Sequence, residues 1–176
     1  MKRLITLFVI VLVLFLLERL VFYKDPFFRK IKLDKNSSYV YNTTNQVFLD
    51  TIVYVGLEHL DIPDVIVIIK SLENHIVLDE GQTTKAYIVG QDKQFVIYTA
   101  RLSRSEALTI IAHELIHLKQ YYTRRLVVKD SIISWEKRKA PILEWYNLSY
   151  NNRPWEIEAF KLQGELSKYI SSELYL

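Results

Sequence analysis

The stretch Ile110-Ile111-Ala112-His113-Glu114-Leu115-Ile116-His117-Leu118-Lys119 decides how the rest of the chain is read. It contains His-Glu-x-x-His. On a helix, residues four apart stand one turn apart on one face, so the imidazoles of His113 and His117 converge. Glu114 lies about 100° further round, close enough to reach a water beside a metal but badly placed to ligate it. Two neutral imidazoles leave a divalent cation its positive charge, and a free carboxylate supplies a base for its water. That is the equipment of a hydrolytic zinc centre, with His113 and His117 as ligands and Glu114 as catalytic base. Histidine occurs four times in 176 residues. The competing reading, two unrelated histidines on a surface helix, fits poorly with neighbours as apolar as Leu108, Ile111, Leu115 and Leu118. A histidine pair buried among them needs polar partners.

The helix carrying the motif has a marked start. Ser103-Arg104-Ser105-Glu106 fits a capping box, and nothing breaks the pattern before about Arg124. Upstream, a short helix is expected within Gln46–Leu60, between turns at residues 36–38 and 42–45 and the strand Val65–Ile69. Ile76–Leu78 leads into a turn over residues 79–82, and Ala86–Val89 and Gln94–Thr99 read as two strands joined through Gly90–Lys93. Downstream, Leu126–Val128 and Ile132–Trp135 could form a small hairpin. A loop rich in Tyr and Trp then reaches Pro154, a good first helical position for a last helix running to about Ser171. The pattern is that of an α+β domain with a small antiparallel or mixed sheet.

The last helix offers two further ligand candidates, Glu156 and Glu158. Trp155, Ala159, Leu162, Leu166, Tyr169 and Ile170 form one apolar stripe at about 100° per residue. Glu158 falls at its edge and Glu156 towards solvent, so Glu158 is the expected third metal ligand. A common alternative for Glu158 is a carboxylate interacting with the helix dipole.

Residues 1–23 begin Met-Lys-Arg, run apolar from Leu4 to Leu17 with only Thr6 polar, and continue through Glu18-Arg19 to Tyr23. No small residues mark a cleavage site, and the length suits an uncleaved transmembrane helix rather than a signal peptide. The expectation is a single-pass membrane anchor at 1–23 followed by a domain at 24–176. Flanking charge alone would put the domain inside, but the export-like layout leans towards an extracytoplasmic one. Net charge is +3, without a basic stripe suited to nucleic acid. No cysteine is present, which excludes disulfides and thiolate ligands.

His113-Glu114-Leu115-Ile116-His117, followed on a later helix by Glu158-Ala159, resembles the gluzincin metallopeptidases, the thermolysin-like branch of the zincins. The resemblance covers roughly residues 65–171 and implies a Zn2+ cofactor, a peptide or protein substrate, and a small sheet over the active-site helix. In that family the sheet's edge strand aligns the substrate, a place that Phe95–Thr99 matches. The chain departs from the family at Leu162, where larger members carry an Asp supporting the first histidine. The family's transition-state stabiliser, usually Tyr or His, does not map by motif; Tyr121, Tyr146 and Tyr150 are candidates, whereas His59 and His75 read as ordinary histidines. The implied function is zinc-dependent peptide hydrolysis. The alternatives are a catalytically inactive binding or scaffold domain keeping a structural zinc, and an interaction domain without metal.

Overall fold

Four strands and three long helices position the motif. The computed structural model describes residues 38–72, 76–77 and 83–174, which belong to one unit, Lys35–Leu176. Strand β1 (Tyr39–Asn42) leads into helix α1 (Phe48–His59) and back into β2 (Ile66–Ser71), parallel to β1. The short strands β3 (Ile76–Val77) and β4 (Thr83–Thr84) pair with each other, and β5 (Ala86–Gln91) turns through Asp92-Lys93 into β6 (Gln94–Thr99). The main sheet has the order β1-β2-β6-β5, with β5 antiparallel to its neighbour and the rest parallel. It is therefore mixed, one of the two arrangements the strand pattern allowed.

The elements follow from their sequences. Strand β2 is apolar on both faces and buried on both, as suits the interior of a parallel pair. Helix α1 buries Leu49, Ile52, Val53, Gly56 and Leu57, the spacing of a single apolar face. Helix α2 (Arg104–Tyr122) begins at the expected capping box: Ser103 Oγ accepts from the Glu106 N–H, and the Ser103 N–H donates to Glu106 at 2.9 Å. Helix α4 (Pro154–Glu173) starts on proline. Between α2 and α4, β7 (Leu126–Lys129), β8 (Ile132–Trp135) and β9 (Arg138–Pro141) form a three-stranded sheet, followed by the single-turn helix α3 (Ile142–Tyr146).

The principal core lies between the main sheet and the helices. Val67, Ile69, Phe95 and Ile97 from the sheet meet Ile52 and Val53 of α1, Ile111, Leu115 and Leu118 of α2, and Leu166 and Ile170 of α4. Helix α2 is thus enclosed along its middle, where residues 111–118 are all buried. A satellite core of Leu126, Ile133, Ala140, Trp145 and Trp155 sits under the three-stranded sheet.

Two expectations need correction. The sequence leads to the expectation of a transmembrane helix at residues 1–23 and, with it, a membrane-anchored, extracytoplasmic protein. Those residues lie outside the described ones, and no helix among the described residues is long and apolar enough to cross a membrane. The two longest, α2 and α4, carry charged residues along their length, so the described residues supply neither a spanning helix nor support for the location built on it. The resemblance implies that Phe95–Thr99 is the edge strand. That strand, β6, is internal, and the hairpin folds β5 to the outside, so Ala86–Gln91 forms the edge beside α2.

Gly90 faces Phe95 across the β5–β6 pair, and a Cβ there would run into the Phe95 ring. Phe95 is fully buried and has little room to move. Gly90→Ala should therefore destabilise the domain by about 1–3 kcal/mol through overpacking, read as a lower urea midpoint. An unchanged midpoint would show that the ring repacks freely.

Candidate metal centre

The capping box and unbroken helix place His113 and His117 where their spacing requires, on the face of α2 that meets α4. Their Nε2 atoms are 3.0 Å apart, and each lies 3.2 Å from Oε2 of Glu156 on the first turn of α4. The three side chains are all buried, and their ligand atoms lie within 4.8 Å of one another, a group that could hold a metal ion. Among the described residues it is the one such group.

Glu156, not Glu158, thus stands with the histidines. Glu158 instead accepts from Gln120 at 2.9 Å and from Arg125 at 2.7 Å. The reason lies in which apolar residues define the inner face of α4. Trp155, Ala159, Leu166 and Ile170 are buried, whereas Leu162 and Tyr169 are only half-buried. Removing those two from the stripe rotates its centre by about 20° at 100° per residue, enough to bring Glu156 nearer than Glu158. Glu156 also sits in the first turn of α4, where the helix dipole favours a carboxylate.

Both imidazoles are held from behind by glutamines. His113 Nδ1 meets Gln163 Oε1 at 2.8 Å, and His117 Nδ1 meets Gln120 Oε1 at 2.8 Å. A carboxamide oxygen only accepts, so each Nδ1 carries a proton and each Nε2 is turned to the cluster, where it donates to Glu156 when it is protonated and offers its lone pair to a cation when it is not. The support missing at Leu162 is supplied by Gln163, two turns along α4 from Glu156. Four residues after Glu156 comes Phe160, whose ring packs 4.8 Å from that of His113 and is 43% exposed.

Glu114 is buried, and its carboxylate accepts the backbone N–H of Ile88 on the edge strand β5. Burial pushes its pKa up, against the pull of His117 and His113. Of the candidate tyrosines, Tyr150 reaches the cluster: its hydroxyl donates to Glu156, and burial with the charges of Glu156 and Glu114 raises its pKa. Tyr121 packs between the two cores, and Tyr146 lies under the Arg153 guanidinium at 4.0 Å. His59 stacks on Tyr169 at the end of α1, and His75 lies outside the described residues.

Burial would raise the Glu156 carboxyl, but hydrogen bonds from His113 and His117, with their charge, outweigh it and hold it well below the ordinary carboxylate range. Burial would pull the His117 imidazole down; the Glu156 hydrogen bond and charge, with Glu114 and Gln120, outweigh that and raise it to about 9.

No family model matches the chain, and no curated protein or solved structure matches it. The metal-binding reading therefore rests on this geometry.

Two outcomes are expected. Glu156→Gln should weaken metal binding by more than the roughly 10- to 100-fold typical of lost outer partners, since it removes a direct contact, measured by chelator competition. Retention of full affinity would exclude Glu156 from the site. In chelator-treated protein, the raised His117 pKa contributes stability that is fully present below its ordinary 6.5 and lost as pH rises through about 9. The thermal midpoint should fall across that window, and Glu156→Gln should flatten the fall. The lowered Glu156 contributes in the opposite sense, with stability present above its ordinary 4.5 and lost as pH drops.

Proposed function

We propose that this chain is a zinc-dependent peptidase, with His113, His117 and Glu156 holding the ion and Glu114 acting as base. The observation that carries the reading is the convergence of two imidazole Nε2 atoms and one carboxylate, with a second, non-ligating carboxylate buried beside them. The donor set fits zinc: two nitrogens and one oxygen, with imidazole protons turned outward, leave a position for water. When bound, zinc supplies Lewis acidity and brings the pKa of water to near neutral.

The chain's own residues supply the rest. Glu114 takes the proton of the attacking water and returns it to the leaving amine, a role its upward-shifted pKa favours. The Ile88 N–H orients that carboxylate. Tyr150, kept neutral by its raised pKa, presents a hydroxyl to the carbonyl oxygen as negative charge develops there. The edge strand β5, antiparallel to β6 and lying beside α2, suits an extended peptide added as a further strand.

The test pairs two variants in a peptide-library assay with a metal measurement. Glu114→Gln should keep stoichiometric zinc and lose hydrolysis by about the 10²- to 10⁴-fold that proton transfer contributes. Tyr150→Phe should lower kcat more than it changes KM. Hydrolysis by Glu114→Gln at the parent rate would rule out the mechanism. A parent that binds zinc but cleaves nothing would favour a scaffold with a structural ion.

A further inference from the structure

Glu158 stands outside the metal-ligand group, yet it is tied to it by an unbroken chain of hydrogen bonds. Gln120, one turn after His117 on α2, is 1% exposed. Its Nε2 lies 3.0 Å from the Trp155 carbonyl and 2.9 Å from Glu158 Oε2. Both of those atoms only accept, so the group facing them must be the amide NH₂. The orientation of the carboxamide is thereby settled by chemistry. Its oxygen is left facing His117 Nδ1 at 2.8 Å, and because that oxygen cannot donate, Nδ1 must carry the ring proton. Glu158 in turn is anchored by Arg125 Nη1 at 2.7 Å, and Arg125 also pairs with Glu136.

We propose that Glu158 is a positioning residue of the metal centre: anchored by Arg125, it locks Gln120 and, through it, the tautomer of His117 that offers Nε2 to a cation. The inference rests on the metal-centre reading above. Carboxylates usually orient a ligating histidine by direct contact. Here the carboxylate acts one residue further away, through an amide. With Glu158→Gln, residue 158 can donate as well as accept, so Gln120 loses one of the two acceptors that forbid its flip. A flipped Gln120 would offer its NH₂ to His117 Nδ1 and leave the proton on Nε2, where it blocks the ligand position.

A double-mutant cycle separates this from a purely structural ion pair. Zinc affinity is measured by chelator competition for the parent, Glu158→Gln, Gln120→Met and the double variant, with Glu158→Asp as the conservative replacement. Glu158→Gln should weaken zinc binding by at least about 10-fold in the parent background and by nothing further beside Gln120→Met. Glu158→Asp should recover part of the loss. Equal losses in both backgrounds would overturn the proposal, because the effect would then bypass Gln120. The second readout needs no metal: long-range ¹⁵N–¹H spectra of the chelated protein, at a pH where the ring is neutral, report which nitrogen carries the proton. The parent should show it on Nδ1 alone, and Glu158→Gln should show it shared. A parent ring protonated on Nε2 sinks the proposal whether or not zinc binds. A parent that takes no zinc yet shows the locked tautomer sinks the metal reading while leaving the lock in place.

Discussion

The contact between α2 and α4 at His113, His117 and Glu156 is the constraint around which the rest of the fold is arranged. Two imidazoles and a carboxylate are taken out of water together, and none could be buried there alone without a large desolvation cost. They are tolerated because each satisfies the others, with Nε2–Oε2 distances of 3.2 Å. The apolar packing follows from that requirement. Leu115 and Ile170 meet close to Gly56 of α1, where a Cβ would run into Leu115. The glycine lets α1 approach Leu115 of α2 and Ile170 of α4 closely.

Much of this was legible in the sequence, and the parts that were not share a cause. Helix α2, its capping box, the helix after Pro154 and strands β2, β5 and β6 follow from periodicity and end signals carried by their own residues. Strand β1 was missed because Tyr39–Asn42 is too short to show alternation before the Asx turn at Asn42. Strand β9 was missed because its turn, Glu136-Lys137, has positive φ at both residues without the Gly or Asn that usually announces it. The neighbouring turn at Asp130-Ser131 has the same backbone form with residues that suggest a turn, so the β7–β8 hairpin is legible in the sequence.

The third ligand shows the same limit more sharply. Glu156 and Glu158 are two residues apart on one helix, and the choice between them turned on whether Leu162 and Tyr169 are buried. Both are apolar, so a pattern of side-chain types counts them fully. Their half-burial depends on how far α4 rolls on α2, and that is a property of the packed pair. Gln120 and Gln163 carried no signal either: a glutamine on a helix is ordinary until its partner is known. Tyr150 stood among three candidates, and only the turn at residues 150–152 before α4 brings it to Glu156.

Charge balance explains why glutamines suit these positions. In the protein alone, the raised pKa of His117 means that a proton neutralises part of the charge of Glu156 and Glu114. A divalent cation would take over that task, displacing the proton as it binds. Carboxylates in place of Gln120 and Gln163 would add two negative charges to a site that already holds two, and would push the His117 imidazole further up. Amides orient the rings without that penalty. The remaining carboxylate, Glu158, stands beyond Gln120, where Arg125 balances it and where water reaches it. Its charge thus lies one amide away from the histidine. The fold separates the job of aiming the ligands from the job of charging the site, so the imidazoles are oriented without added negative charge beside them.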